Sequence, residues 1–437
     1  LKRGFSLYFI SNVLTIMSNN VSDRYQLTEL PNGTRVVSEY MPYVESFSLG
    51  FWFGVGARDE SRRNNGIAHF LEHMLFKGTR KRSAKKISEQ IESYGGYLNA
   101  FTSKEHTCFY GRGLVKRLDK TYDVLADMIE NSLFRGKDLD REKGVVVDEM
   151  RDIEDNPQEL IFDEFEKALF KGNALGLPIV GEENVVRSIS GEDLRERMNR
   201  KYLPNNLVVA CGGKIEHEKL VALTERYFGD KRGKASIRRK RPLVSNYEER
   251  RIEKEVLQSH CLVGRESFGY EDDRRYPLMV LSTALGEGSG SRLFQALRER
   301  LGVTYMITSF VNSYRETSSF GVYFSTNNAQ REKALAAIDR EFRKLREKPL
   351  GKRELKRVKE YLKGSVALGM ESASSRMFRL GSSLLRHGDV RPVARTMEKI
   401  DATTVEDVHE LAKELLDLES MTKVFIQSGD DARETAA

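Results

Sequence analysis

The sequence is short of the residues that would allow the simplest readings. Three cysteines, Cys108, Cys211 and Cys261, stand in 437 residues. They are too few and too scattered for a disulfide framework or a thiolate zinc site, so a reducing compartment is expected. Nine prolines and one tryptophan accompany 39% hydrophobic and 31% charged residues, a balance outside that of collagen-like or disordered chains. No apolar run approaches the roughly 18 residues of a helical membrane span, and none is expected. Acidic and basic residues nearly cancel, 65 against 72, and the net charge of +7 is too mild at this length for a dedicated nucleic-acid binder. Histidine is also scarce, with seven in the chain.

What is present points to two or three domains, at about 150 residues each. Residues 1–16 carry Lys2 and Arg3 ahead of Phe5, Leu7, Tyr8, Phe9 and Ile10, which resembles a poor signal peptide. Ser6, Ser11 and Asn12 interrupt it, and no small-x-small site precedes Ser18, Asn19 and Asn20. A cytoplasmic protein is therefore expected over an exported one, with Met17 a candidate start and residues 1–20 an extension. From Tyr25 onward, short strand-like runs such as Ser46–Phe53 (SFSLGFWF) alternate with long helical segments rich in Glu, Lys, Arg and Leu. This predicts an α+β fold. The basic stretch KRGKASIRRKRP at residues 231–242 breaks the pattern. It predicts a first domain over residues 21–230, a basic linker over 231–246 and a second domain over 247–437. A polyanion site there is conceivable, but a solvated connection is the simpler expectation.

The halves look weakly alike. A shift of 216 positions places Leu139 on Leu355, Arg141 on Arg357 and Lys143 on Lys359. The same shift places Glu142 on Val358 and Glu149 on Ser365. The pattern predicts an internal duplication whose second copy has lost chemistry.

The chemistry concentrates in His69, Phe70, Leu71, Glu72 and His73, within GIAHFLEHMLFKG. At about 100° per residue, Ile67, Phe70, Leu71, Met74 and Leu75 fall on one helix face and His69, Glu72 and His73 on the other. Two imidazoles one turn apart can share a zinc ion, and the glutamate between them can serve a water as general base; H-x-x-E-H is the inverzincin order. The plain alternative is a histidine pair on a surface helix. A catalytic zinc takes a third protein ligand. The helical stretch 138–153 offers Glu142 and Glu149, seven apart on one face, with Asp148 about 100° away and Asp152 one turn further along as rivals. His106, His217, His260, His387 and His409 read as ordinary surface or core residues.

HFLEHMLFKGT, with Glu149 lying 76 positions after His73, resembles the M16 metallopeptidases, the pitrilysin family. The likeness is to the short bacterial relatives of the mitochondrial processing peptidase β subunit. GGYLNAFTSKEHTCFY at residues 95–110 resembles the strand pair after the family's motif, and SRLFQALRERLGVTY at 291–305 its second-domain signature. The resemblance implies that His69, His73 and Glu149 bind one zinc ion per chain, that Glu72 activates water, and that Glu142 supports the site from behind. It implies that Asn99 and Ala100 lie on an edge strand that pairs with an extended substrate. Arg298 and Tyr305 would then reach the substrate backbone, Tyr305 near the developing oxyanion. The implied fold is two related domains, each an antiparallel sheet with helices on one side, together half of a clam-shell completed by a partner, and so a homodimer. The implied function is a zinc-dependent endopeptidase that hydrolyses short or unfolded polypeptides in a closed chamber. The competing expectation is a non-catalytic scaffold or assembly subunit, against which the intact motif argues.

Overall fold

The computed structural model describes residues 25–243 and 247–429, together with two strands, β1 (Ser6–Ile10) and β2 (Val13–Met17). The expected extension over 1–20 otherwise lies outside the described residues; its two strands add to a sheet edge by pairing β2 with β3 (Tyr25–Glu29). The first half continues with β4 (Arg35–Tyr40), β5 (Ser46–Phe53), α1 (Ile67–Leu75), α2 (Ala84–Glu92), β6 (Tyr97–Thr102) and β7 (Thr107–Leu114). Then come α3 (Leu118–Asn131), α4 (Gly136–Asp155), α5 (Pro157–Leu169), α6 (Glu183–Ser188), α7 (Gly191–Lys201), β8 (Leu207–Gly213) and α8 (His217–Phe228). The second half has β9 (Glu249–Glu253), β10 (Ser259–Phe268), α9 (Arg275–Gly286), a π-helical stretch at Phe294–Arg300, β11 (Thr304–Ser313) and β12 (Thr317–Thr326). It closes with α10 (Arg331–Glu347), α11 (Lys352–Leu368), α12 (Ala373–His387), α13 (Val393–Ala402), α14 (Val405–Leu415) and β13 (Thr422–Gln427).

The expected α+β class and duplication are visible in the topology. One sheet runs β1-β2-β3-β4-β8-β5-β7-β6 and the other β9-β13-β10-β12-β11, so the last five strands of the first repeat the order of the second. Each sheet is antiparallel except for one pair at the equivalent place, β4 with β8 and β9 with β13. Helix starts keep the sequence spacing: α4 and α11 begin at 136 and 352, and α5 and α12 at 157 and 373, both 216 apart.

The two compact units are not contiguous stretches. The first comprises residues 1–150, 178–239 and 367–395, and the second 151–177, 240–366 and 396–437. The expected boundaries at 230 and 246 therefore need correction, because α5 packs in the second unit and α12 in the first. The reason lies in the strands. β5 is buried at nearly every position, the mark of a strand covered on both faces rather than one. Phe47, Leu49, Phe51 and Phe53 face one core, while Trp52 faces another with Met377, Leu380 and Leu384 of α12. Gly381 permits this approach, since a Cβ there would lie 2.3 Å from Trp52 Nε1. In the second unit, Ile161, Phe165 and Leu169 of α5 pack on Leu262, Tyr323, Val424 and Ile426. The expectation of helices on one side is thus completed by one exchanged helix on the other.

The basic linker also differs from a solvated connection in its first part. Arg239 donates from Nε to Asp59 Oδ1 at 2.9 Å and from Nη2 to Oδ2 at 2.7 Å, a bidentate pair, and reaches the Gly54 and Glu105 carbonyls. Residues up to 239 belong to the first unit, with Ile237 packed on its core. No helix among the described residues is long and apolar enough to cross a membrane.

Candidate active site

Helix α1 starts sharply. Gly66 adopts φ +93°, where a Cβ would meet Val180 O at 2.7 Å. The buried Glu60 carboxylate then takes the orphan donors of the first turn: Oε2 accepts Gly66 N–H at 2.7 Å and Asn65 Nδ2 at 3.0 Å, and Oε1 accepts Ala68 N–H at 2.7 Å. The stripe Ile67, Phe70, Leu71, Met74 and Leu75 is buried. That fixes the rotation of the helix and turns His69 and His73 toward α4.

Along this seam nitrogen-bearing and carboxylate side chains alternate. His69 Nε2 lies 3.6 Å from Glu149 Oε1, and His73 Nε2 3.4 Å from Glu149 Oε2. His73 Nδ1 lies 2.9 Å from Glu142 Oε1, and Lys77 Nζ 2.6 Å from Glu142 Oε2. The order His69, Glu149, His73, Glu142, Lys77 means that α1 and α4 pass in opposite directions, as the seven-residue spacing of the glutamates allows. The donor atoms of His69, His73 and Glu149 lie within 4.8 Å of one another. Tetrahedral zinc with bonds of about 2.0–2.2 Å needs ligand atoms about 3.3–3.6 Å apart, and each imidazole lies at that spacing from one of the two Glu149 oxygens. Asp148 and Asp152 are exposed and stand outside the donor cluster.

Glu72 lies on the same helix and accepts a hydrogen bond from Thr102 Oγ1 at 2.6 Å. Thr102 ends β6, the last strand of its sheet. On that strand, Asn99 Nδ2 donates to Tyr97 O–H at 2.7 Å, and Ala100 N–H donates to Asn99 Oδ1 at 2.9 Å. Arg298 and Tyr305 belong to the second unit, where the guanidinium stacks on the exposed Tyr305 ring at 4.8 Å.

The protonation states follow from burial and charge. Burial, then the neighbouring His73, lowers His69 to about 4, leaving it a neutral donor. Burial also acts to lower His73, but contacts with Glu142 and Glu149 outweigh it and raise the imidazole to about 9. Burial raises Glu72 above its ordinary value, against the Thr102 hydrogen bond, the direction that suits a group that must take up and return a proton. Burial works against ionised Glu142, yet His73 and Lys77 hold it below its ordinary value. The remaining histidines carry structural contacts where the structure details them: His217 sits between Thr28 and Ser38, and His106 against Trp52 and Phe101.

Three residues of this arrangement were not legible as functional in the sequence. Lys77 had a signal, since it continues the His69 and His73 face at the next i+4 step. Glu60 and Thr102 had none, because a loop and a strand end bring them in.

Comparison with known proteins agrees with this geometry. The family model Insulinase (Peptidase family M16) matches residues 35–183, and Peptidase M16 inactive domain matches 188–362. A protein of Streptomyces coelicolor named as an uncharacterized zinc protease is 37% identical over 398 residues, covering 89% of this chain and 86% of its own. A Bacillus subtilis protein so named is 35% identical over 399 residues, covering 91% and 97%. The crystal structure of a protease from Helicobacter pylori superposes with a TM-score of 0.85 at 21% identity, over 92% of this chain and 99% of that one. A Pseudomonas fluorescens structure described as a peptidase M16 inactive domain gives 0.85 at 20% identity, over 93% and 98%. The chain belongs to peptidase family M16.

Proposed function

We propose that the chain is a zinc-dependent endopeptidase for short or unfolded polypeptides held extended in a closed chamber. The observation that carries this reading is a three-donor set, His69, His73 and Glu149, beside a hydrogen-bonded carboxylate and the last strand of a sheet. His69, His73 and Glu149 would hold a zinc ion, which would supply Lewis acidity toward a scissile carbonyl and an activated water near neutral pH. Glu72 takes the proton of the attacking water and returns it to the leaving amine. Thr102 holds Oε2 and leaves Oε1 for that work. Glu142 orients the His73 ring from behind.

The substrate adds to β6 as a further strand at Asn99 and Ala100, main chain against main chain, which reads extended shape more than sequence. In the second unit, the exposed Tyr305 with Arg298 stacked on it is the proposed contact for the substrate backbone. A homodimer completes the chamber, and a cytoplasmic setting suits three buried, unpaired thiols.

The test is cleavage of a quenched, unstructured peptide by the full chain, by Glu72→Gln and after chelation with zinc readdition. Activity should return with zinc, and Glu72→Gln should keep the metal while losing about 10²–10⁴-fold in rate. Undiminished cleavage by Glu72→Gln would sink the mechanism. Light scattering of the same sample reads the dimer.

A further inference from the structure

The charge ladder continues past the zinc ligands. Glu142 is almost fully buried, its side chain 2% exposed, and a carboxylate so placed must be paired on both oxygens to avoid a large desolvation cost. Oε1 faces His73 Nδ1 at 2.9 Å and Oε2 faces Lys77 Nζ at 2.6 Å. The first contact sets the turn of the imidazole ring, so that Nε2 lies 3.4 Å from Glu149. The second is an ion pair that sets a positive charge against the other oxygen of the same carboxylate.

Lys77 is well placed to do this. It follows His73 by four residues, and its N–H bonds Met74 O at 3.2 Å, which extends the helical turn beyond α1. Gly78 then adopts φ +121° and the chain turns away, so Lys77 is the last residue on the histidine face. Its side chain is one-third exposed, so the stem lies along the surface while the ammonium reaches inward.

We propose that Lys77 is a positioning residue of the metal site: it locks Glu142, and Glu142 locks His73 in the orientation that presents Nε2 to the ion. This rests on the reading of His69, His73 and Glu149 as ligands. The lysine touches neither metal nor substrate, so its effect is on zinc affinity. Lys77→Met keeps the aliphatic stem and deletes the charge; Lys77→Arg keeps the charge.

The experiment measures zinc affinity of the full-length chain by competition with a chromophoric chelator. It compares the unaltered chain, Lys77→Met, Lys77→Arg and Glu142→Gln, with thermal melting of each metal-free form. Lys77→Met should weaken zinc binding by about 10–100-fold, the range for partners behind a ligand, and Lys77→Arg should recover most of it. Lys77→Met leaves Glu142 short of a partner and should lower metal-free melting, so affinities are compared well below every metal-free melting point, where each variant is folded. Affinity of Lys77→Met within about threefold of the unaltered chain, beside a weakened Glu142→Gln, overturns the proposal alone. Absence of zinc binding by the unaltered chain overturns both this and the peptidase reading.

Discussion

The two units share a strand order and an order of helices, yet the helix pairs at equivalent places are joined in opposite ways. In the first, α1 and α4 meet through imidazoles, carboxylates and an ammonium. In the second, Leu278, Leu281 and Leu285 of α9 share one apolar core with Leu355, Val358 and Leu362 of α11. The architecture therefore stands without the charge ladder. Buried ionic pairs are weak contributors to stability once desolvation is counted, and apolar replacements of similar volume often hold a fold as well or better. The second unit is nature's version of that replacement, so the ladder of the first is kept for a reason other than holding helices together.

The largest expected effect comes from copying the second unit into the first. Glu149→Ser installs the residue found at position 365 and removes one donor from the cluster. Zinc should be lost to mild chelation, cleavage should fall to background, and the metal-free chain should melt within a few degrees of the unaltered one. Zinc retained at full affinity would show that α4 does not supply the third ligand and would break the comparison.

A second test addresses the exchanged helices. Phe165 of α5 is fully buried on the second sheet, and Leu380 of α12 is fully buried on the first. Phe165→Ala should cost about 3–5 kcal/mol and Leu380→Ala about 2–5 kcal/mol. Hydrogen exchange should localise the first loss to β10 and β13 and the second to β5 and β8. Loss confined instead to the unit next to each helix in sequence would contradict the exchange.

These tests also mark what the sequence could and could not carry. The phase of α1 was legible because five apolar residues fix its buried stripe and leave His69, Glu72 and His73 on the other side. The β6 and β7 pair and the duplication were legible as text, the latter in the spacing of 216. The exchange was not: the apolar faces of α5 and α12 say that each is buried, but nothing local says against which sheet. Arg239 read as part of a solvated run because its partner, Asp59, lies 180 residues away and is brought in only by folding. Thr102 reaches Glu72 because a strand end docks on a helix, a distance that no periodicity encodes.

Thr102→Val offers a smaller effect. One hydrogen bond to a charged group is worth about 1.5–3 kcal/mol, of which the part felt in the transition state should lower kcat by about tenfold with KM little changed. Zinc content should be unaffected, and Thr102→Ser should restore the rate. An unchanged kcat in the valine variant would remove Thr102 from the alignment of Glu72.

The smallest signal is a count of protons. In the metal-free chain His73 titrates near 9, held up by Glu142 and Glu149 against burial, whereas His69 titrates near 4. Because the folded value of His73 lies above its ordinary 6.5, its ion pairs stabilise the metal-free fold fully below that value and lose effect as pH rises through about 9. A metal ligand must be deprotonated, so zinc displaces this proton. Calorimetry in buffers of different ionisation enthalpy should find about one proton per zinc released between pH 7 and 8 beyond what metal-bound water supplies, and that excess should vanish at pH 10. His69 contributes nothing in either range, since it is already neutral. Glu142→Gln removes one of the two carboxylates that raise His73, so the release at pH 8 should shrink. A release at pH 7.5 two protons above what metal-bound water supplies would mean that His69 is also charged, and that burial in the first unit is not what prepares it as a ligand.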